Sequence, residues 1–240
     1  MTPRVTVSIV SHRQNAMVNG LLADLADHCG DDILVVLTEN VADAVSLDAG
    51  RLANRLQVVR NPRPRGFGAN HNAAFTRCRT SFYCVANPDI RLTADPFPAL
   101  LDSLRDGRIA VAGPLVRNPA GTVEDSARRF PTVGTLIRKA CSGHRGPDYP
   151  TNQGSLKADW IAGMFMLFRS GAYRAIGGFD ESYFLYYEDV DICRRLLKSG
   201  KSVLYEPRAE VVHDARRASR RDPKLAMHHL KSAIRFLSRG

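Results

Sequence analysis

Short apolar runs alternate with stretches of helical spacing along the first half of this chain. Five apolar runs predict strands, at 4–10, 33–37, 56–59, 82–86 and 109–112. Between them, apolar residues recur three or four positions apart, as at Val18, Leu21 and Leu25, and helices are also predicted at 70–78 and 96–105. This alternation is typical of an α/β domain with a mostly parallel sheet that helices cover on both faces. Ligands of such sheets bind at the carboxyl ends of the strands.

The second half of the chain is less regular. Residues 117–156 are rich in Gly, Pro, Arg and Ser, and they predict a hairpin with a mobile loop. Regular structure is predicted again beyond this loop, at 158–169, in a helix at 188–199 and in short strands at 202–205 and 210–213.

The last residues form a pattern of their own. Residues 222–239 predict an amphipathic helix with Leu225, Leu230, Ile234 and Leu237 on one side. Since no repeat or linker divides the chain before this point, we predict one domain over 1–221 and a C-terminal helical extension over 222–240.

Composition narrows the class of protein. The chain has 240 residues, and an apolar content of 44% is sufficient for a packed core. Apolar runs stay far below the roughly 20 residues that span a bilayer, which favours a soluble, cytoplasmic protein. The five cysteines include no C-x-x-C pair and predict reduced core thiols; they are Cys29, Cys78, Cys84, Cys141 and Cys193.

The net charge of +10 indicates anionic partners, because a positive field concentrates anions at the surface. Nucleic acid, an acidic membrane face and phosphorylated substrates all fit this charge. A basic background of solvated arginines is the alternative, and charge alone does not choose among these.

A glycine-containing loop joins the third predicted strand to a helix. Gly66, Phe67, Gly68 and Asn70 place small residues and backbone N–H groups beside the helix start, where an anion such as a diphosphate is favoured. A simple turn is the other interpretation. The loop matches neither G-x-x-x-x-G-K-[ST] nor G-x-G-x-x-G, which disfavours a P-loop NTPase and a dinucleotide dehydrogenase.

Two further sites have the chemistry of metal ligands. Asn87-Pro88-Asp89 closes an apolar strand, and a carboxylate there could hold Mg²⁺ or Mn²⁺, which prefer oxygen ligands, although a type I turn explains the same residues. His213 ends a short strand, where its imidazole is either a metal ligand or a polar surface group.

An acidic cluster begins the helix at 188–199. Glu188, Asp189 and Asp191 are partly explained by helix capping, but capping does not explain their crowding. Like charges this close raise one another's pKa, which suits a general base for a hydroxyl acceptor. Nearby in the pattern, Trp160 precedes Gly163 and would either stack on a sugar or fill the core.

Taken in order, these pieces resemble the family-2 inverting glycosyltransferases of the GT-A, Rossmann-like fold, especially bacterial rhamnosyltransferase-like members. The resemblance covers nearly the whole chain. The residues that carry it are Val7-Ser8-Ile9-Val10-Ser11, Gly66-Phe67-Gly68-Ala69-Asn70, Asn87-Pro88-Asp89, Trp160-Ile161-Ala162-Gly163, Gly178-Phe179-Asp180-Glu181, Glu188-Asp189-Val190-Asp191-Ile192-Cys193-Arg194-Arg195 and His213.

On the donor side, the resemblance implies a nucleotide sugar and a divalent cation, Mn²⁺ or Mg²⁺. Ser11 and Glu39 would lie near the nucleoside, and the loop 66–70 would border the diphosphate. Asp89 would be the remaining carboxylate of the family's Asp-x-Asp, with Asn87 in the first place, and His213 would be the second metal ligand. The family's Val-Asp-Asn-Gly-Ser is replaced here by Leu-Thr-Glu-Asn-Val at 37–41.

On the acceptor side, the resemblance implies that Asp189 is the base, with Glu188 and Asp191 tuning or orienting it. Trp160 and Gly163 would face the acceptor. The implied reaction transfers a deoxyhexose, such as rhamnose from dTDP-rhamnose, to a saccharide or polyprenyl-diphosphate-linked acceptor in cell-surface polysaccharide or glycolipid synthesis.

Two other functions would require different sequence motifs. A sugar-nucleotide nucleotidyltransferase needs a glycine-rich N-terminal loop, and residues 10–15 contain no glycine. A nucleic-acid-binding module could use Arg216-Arg217 and Arg220-Arg221, but no recognition motif accompanies them, so no nucleic acid is expected.

The basic C-terminal helix has three predicted uses. It would rest on the anionic cytoplasmic face of the bacterial inner membrane, pack on its own domain, or pair with a second subunit in a homodimer.

Overall fold

Strands and helices alternate through the first half of the chain in the computed structural model, which describes residues 3–132, 134–135, 147–150, 154–214 and 223–239. The elements in this half are β1 (Val5–His12), α1 (Asn15–His28), β2 (Ile33–Val41), a 3-10 helix (Gly50–Arg55), β3 (Leu56–Arg60), α2 (Phe67–Phe75), β4 (Phe82–Ala86), β5 (Ile90–Arg91) and α3 (Phe97–Ser103). The predicted strands and helices of this half are all present. Helix α2 begins three residues before the predicted start, directly after the extended Gly66.

The second half contributes two long strands, several short ones and three helices to the described structure. Its elements are β6 (Ile109–Arg117), β7 (Val123–Glu124), β8 (Ala127–Arg128), β9 (Leu156–Ala158), β10 (Trp160–Ile161), β11 (Phe165–Arg169), α4 (Ser170–Ala175), α5 (Glu188–Lys198), β12 (Ser202–His213) and α6 (Pro223–Ser238). The two short strands predicted at 202–205 and 210–213 form one strand, β12, whose pairing with β6 shifts register between Glu206 and Glu210. Part of the predicted hairpin and mobile loop, at 133, 136–146 and 151–153, lies outside the described residues, as do Cys141 and the basic pairs at 216–217 and 220–221.

The main sheet has the order β3-β2-β1-β4-β11-β6-β12-β5, with β7 beside β6 and β9 beside β12. Pairing is parallel among β1, β2, β3 and β4, as the alternating pattern predicts. Strand β11 lies antiparallel between β4 and β6, and β12 lies parallel to β6. The carboxyl ends of β1, β2, β4 and β12 therefore meet at one edge of the sheet, together with the start of β11.

The core fills both faces of the sheet. Val5, Val7 and Ile9 pack with α1 and α3 on one face, and Tyr83 and Val85 pack with α5 on the other, as side chains that alternate along a strand must. The four described cysteines are free and buried in these two clusters.

Helix α6 packs on the domain, but not through the predicted side. Ala233 and Phe236 are buried, whereas Leu230 and Ile234 are among the most exposed large apolar side chains. The prediction that Leu225, Leu230, Ile234 and Leu237 share one side is wrong. Phe236 faces inward instead, because its ring packs on Tyr187, the last residue before α5. In the part of the chain that the structure describes, no helix has both the length and the apolar character to cross a bilayer.

Candidate active site

Asp89 and His213 meet at the carboxyl edge of the sheet. Strand β5 pairs antiparallel with β12 so that Ile90 lies opposite His213, which places the residue before β5 beside the end of β12. The Oδ2 atom of Asp89 is 3.4 Å from Nε2 of His213, and the N–H of Asp214 donates to the Asp89 carbonyl at 2.9 Å. The structure thus brings together the two residues predicted to bind metal.

The Asp89 carboxylate suits a divalent cation. Its Oδ1 atom is buried and has no hydrogen-bond partner among the described residues, an arrangement that is costly unless a ligand satisfies the oxygen. The described residues contain no group of three or more metal-ligating side chains. Two protein ligands are nevertheless enough for Mg²⁺ or Mn²⁺ when water and substrate phosphates complete the coordination.

A residue that the sequence analysis missed, Glu124 in β7, completes this corner. Its Oε2 atom accepts a hydrogen bond from Nδ1 of His213 at 2.7 Å. Burial acts to lower the pKa of His213, but the hydrogen bonds with Asp89 and Glu124 outweigh burial and raise that pKa above its ordinary value. Glu124 lies in a region with little periodicity, and only the pairing of β7 with β6 reveals its place.

Asp189, the predicted base, is half-buried and held by backbone donors. The N–H of Gly163 donates to its Oδ2 at 2.9 Å, and the N–H of Val190 donates to its Oδ1 at 2.9 Å. Burial raises the pKa of Asp189 above the ordinary carboxyl value, although these two bonds and the charge of Arg128 oppose the rise. A carboxylate with a raised pKa accepts a proton more readily than a free one.

The two acidic neighbours of Asp189 differ in their surroundings. Glu188 is buried, its Oε2 has no hydrogen-bond partner in the described structure, and burial followed by the charge of Asp189 raises its pKa well above the usual range. Asp191 instead binds Arg195 at 2.7 Å, and Arg195 in turn donates to the carbonyls of Ile176 and Gly178. Asp191 therefore fixes α5 against the preceding turn.

The candidate cation site and the predicted base are linked through two consecutive residues, Gly163 and Met164. The N–H of Asn87 donates to the Met164 carbonyl at 2.9 Å, while Gly163 holds Asp189. Asn87 makes this contact through its backbone N–H, and its carbonyl accepts from the N–H of Ile90 at 3.3 Å across the turn that contains Asp89. Residues 163 and 164 therefore link the 87–89 turn to the start of α5.

Ser11 and Glu39 lie side by side on β1 and β2, as paired residues of the parallel ladder. Ser11 donates to Oδ1 of Asn15 at 2.6 Å, and Asn15 donates to Oε1 of Glu39 at 3.0 Å. The other Glu39 oxygen binds Arg60 at 2.7 Å. Asn15, which the sequence analysis did not single out, connects the two predicted nucleoside residues.

The loop before α2 is held by asparagine side chains. Asn40 accepts from the N–H of Arg65 at 2.7 Å and from the side chain of Asn61 at 2.9 Å. The Asn70 side chain donates to the carbonyls of Arg65 and Gly66 at 3.1 and 3.0 Å. The side-chain amides therefore form hydrogen bonds with backbone N–H and C=O groups that would bind water in a flexible loop.

The glycines of this loop are required by close packing. A Cβ at Gly66 would lie 2.8 Å from the Phe184 carbonyl oxygen, and a Cβ at Gly68 would lie 2.6 Å from Cβ of Phe179. The N–H of Phe67 donates to the same Phe184 oxygen at 2.9 Å. These contacts explain the glycines without a phosphate.

Trp160 belongs to the core of the β8–β10 pair. It is 9% exposed, and its Nε1–H donates to the Arg129 carbonyl at 2.9 Å. The Arg128 guanidinium lies over the indole ring, 5.4 Å from its centroid. The sequence did not single out Arg128, whose positive charge acts to lower the pKa of Asp189. Arg128 reaches this position because β8 pairs with β10, the strand that leads to Gly163.

The chain resembles known glycosyltransferases in sequence and in fold. Residues 3–230 match the family described as "Glycosyltransferase like family 2". Over 169 residues the chain is 41% identical to N-acetylglucosaminyl-diphospho-decaprenol L-rhamnosyltransferase of Mycobacterium tuberculosis, a match that covers 64% of this chain and 54% of that protein. The chain thus spans about half the length of this relative.

Two further likenesses agree with this family match. The chain is 31% identical over 186 residues to rhamnosyltransferase WbbL of Escherichia coli, covering 72% of this chain and 70% of that protein. The crystal structure of GalNAc-T7 with UDP, GalNAc and Mn²⁺ superposes with a TM-score of 0.65 at 13% identity, covering 90% of this chain and 44% of that one. At that identity the likeness concerns the fold alone.

Proposed function

Because the chain belongs to glycosyltransferase family 2 and has the GT-A fold predicted for it, we propose that it is a metal-dependent, inverting glycosyltransferase. The observation that carries the proposal is the link between Asp189 and the turn before Asp89 through the adjacent residues Gly163 and Met164. A base and a cation site that share one edge of the sheet are what a single displacement on a nucleotide sugar requires. The rhamnosyltransferase relatives support a deoxyhexose donor, such as dTDP-rhamnose.

In the proposed reaction, the acceptor hydroxyl attacks the anomeric carbon while Asp189 takes its proton. The new glycosidic bond forms as the bond to the nucleoside diphosphate breaks, and the configuration inverts. Gly163 orients the carboxylate by donating to Oδ2, and the raised pKa of Asp189 strengthens it as a base. One base is sufficient, unlike the two carboxyl groups of a glycosidase.

Asp89 and His213 would hold Mn²⁺ or Mg²⁺, which neutralises the charge of the leaving diphosphate when it is bound. Ser11 and Glu39, which lie near the ends of β1 and β2 and are connected by Asn15 of α1, would bind the nucleoside. The loop 66–70 borders the diphosphate by its position, with its shape fixed by the packing of Gly66 against Phe184.

The proposed acceptor is a saccharide carried on a polyprenyl diphosphate. The name of the mycobacterial relative supports this class. An acceptor of this kind resides in a membrane, and α6 offers a surface for such contact. Met227, Leu230 and Ile234, spaced three and four residues apart, are 51%, 55% and 59% exposed.

The helix that carries this stripe, α6, packs beside the segment that leads to the proposed base. Phe184, 47% exposed, stacks on His228 of α6 with ring centroids 4.9 Å apart, and His229 lies within electrostatic range of Asp189. Exposed Lys231 stands beside the stripe on the same helix. We therefore assign the stripe to peripheral contact with an anionic bilayer, which would present the acceptor to Asp189.

The test is a transfer assay with dTDP-rhamnose, a short-chain prenyl-diphosphate N-acetylglucosamine acceptor and Mn²⁺. Asp189→Asn is expected to lower transfer about 100- to 10,000-fold and to leave donor binding intact, because the base acts only in the transition state. Asp31→Asn, an 89% exposed aspartate, is the control. Unaltered transfer by Asp189→Asn would refute the assignment of the base, and turnover of nucleoside triphosphates instead would favour a nucleotidyltransferase.

A further inference from the structure

Glu124 and His213 are held on opposite sides of the same strand. Val116 of β6 pairs with Glu124 of β7 on one side and with Val211 of β12 on the other. The backbone therefore sets the separation of the two side chains. Their Oε2–Nδ1 distance of 2.7 Å is within the range of a strong, charge-assisted hydrogen bond.

This contact determines which nitrogen of His213 faces the cation site. An imidazole that donates from Nδ1 to a carboxylate keeps the lone pair of its neutral form on Nε2. In His213 the Nε2 atom is the one that faces Asp89 Oδ2, at 3.4 Å. Carboxylates in this position orient metal-binding histidines and increase their basicity.

We propose that Glu124 is a positioning residue that fixes the tautomer and ring orientation of His213 for the divalent cation. It acts through His213 and does not itself bind the cation. This inference rests on the proposed function, because the cation belongs to the donor complex described above.

The first measurement is Mn²⁺ affinity in the presence of dTDP, followed by electron paramagnetic resonance. Glu124→Ala is expected to weaken Mn²⁺ binding about 10- to 100-fold, while Glu124→Gln, whose amide oxygen still accepts from Nδ1–H, keeps most of the affinity. His213→Ala should show no further loss when Glu124→Ala is added. Glu210→Gln, which removes the charge of an acid on β12 that pairs with Arg117, is the control.

The second measurement needs no cation. In ¹⁵N-histidine NMR at pH 8.5, the His213 signals, assigned by their loss in His213→Gln, should show a protonated Nδ1 in the wild type and in Glu124→Gln. Glu124→Ala should shift His213 toward the tautomer protonated on Nε2. Melting temperatures confirm that each variant is folded.

The outcomes separate the two proposals. Wild-type Mn²⁺ affinity together with an unchanged tautomer in Glu124→Ala would overturn the role of Glu124 and leave the proposed function standing. A wild type that binds no Mn²⁺ with dTDP would overturn the metal-dependent function and, with it, the positioning role, even if the NMR signals confirmed the hydrogen bond.

Discussion

At the scale of single residues, two adjacent carboxyl groups differ in how their charge is satisfied. Glu188 is buried without a hydrogen-bond partner for Oε2 in the described structure, whereas Asp189 accepts two backbone hydrogen bonds. Burial raises the pKa of both groups, and it does so furthest for Glu188, because the backbone hydrogen bonds to Asp189 oppose the rise there. Of the two, Glu188 is therefore the one whose environment favours the protonated form.

A neutral Glu188 predicts a pH-dependent gain in stability for Glu188→Gln. Above the unfolded-state pKa of about 4.3, the unfolded chain loses a proton that the folded chain retains, so stability falls as pH rises toward the raised folded pKa. Glutamine removes this loss. We expect Glu188→Gln to be more stable at pH 8, by about 1.4 kcal/mol for each unit of the pKa rise, and equal to the wild type near pH 4.

Urea unfolding at pH 4 and pH 8 measures this difference, with Glu210→Gln as the control. The assignment of a neutral Glu188 fails if the free energies of unfolding of variant and wild type differ by the same amount at both pH values.

Sequence alone offered candidate residues at the ends of strands and helices, and it missed residues that reach the site through strand pairing. The resemblance to family motifs gave Asp89, His213 and Asp189 their predicted roles. Glu124 and Arg128 instead come to the site through the pairing of β7 and β8 with other strands. Asp191 was grouped with the base although Arg195, four residues later on the same helix, already indicated an ion pair.

At the scale of elements, the loop at 66–70 and the 183–187 segment before α5 pack against each other through their backbones. Tyr186 and Tyr187, which end this segment, have φ values of 70° and 69°, in the left-handed region. Such residues cost roughly 1–2 kcal/mol each and persist only where surrounding contacts impose them. The contacts here include the packing of Tyr187 on Phe236 of α6, with ring centroids 5.7 Å apart.

Gly66→Ala should disturb this packing. The added Cβ would meet backbone atoms of Phe184, which cannot rotate away, and overpacking of this kind costs about 1–3 kcal/mol. We expect a lower melting temperature and a higher KM for the donor.

The control for this substitution is Gly107→Ala, where the new Cβ meets no atom within 4 Å of the described structure. Equal melting temperatures for the two variants would show that α2 and the 183–187 segment separate easily.

Elements were predicted best where periodicity is strong. The N-terminal strands and helices follow their apolar pattern closely. Strand β12 was split in two because Glu206 interrupts its apolar pattern, yet this carboxylate is fully buried and bound by Ser155 and Arg208. The apolar pattern alone does not show that a polar residue inside a strand is buried, because its burial depends on partners such as Ser155, which lies far away in the sequence.

At the scale of the whole molecule, α6 is apolar on two sides. One side packs on the domain through Ala233 and Phe236, and a second side carries the exposed stripe of Met227, Leu230 and Ile234. The exposed face of a surface helix is normally polar, so an apolar stripe on it indicates a contact outside the domain.

The combined substitutions Met227→Ser, Leu230→Ser and Ile234→Ser should therefore weaken binding to anionic vesicles at least about tenfold, given the transfer energies of these apolar side chains. Flotation with phosphatidylglycerol vesicles measures the binding, and it should also weaken at high salt because Lys231 contributes by charge. Val45→Ser, at an exposed valine elsewhere, is the control.

Unchanged flotation of the serine variant would contradict the bilayer assignment. A wild type that is dimeric, with a monomeric serine variant, would assign the stripe to a second copy of the chain instead.

The sheet brings together residues that the ribosome synthesises at very different times. Strand β12 lies between β6 and β5, so the turn that carries Asp89 gains its neighbour only when residues 202–213 have left the ribosome. Contacts of such long sequence separation form late, since the intervening chain must first be ordered. A nascent chain stopped after α5 would already contain Asp189, yet it would lack His213, the second of the two proposed cation ligands. In the proposed mechanism, sugar transfer therefore requires residues 202–213 to be synthesised and paired, however early the first strands fold.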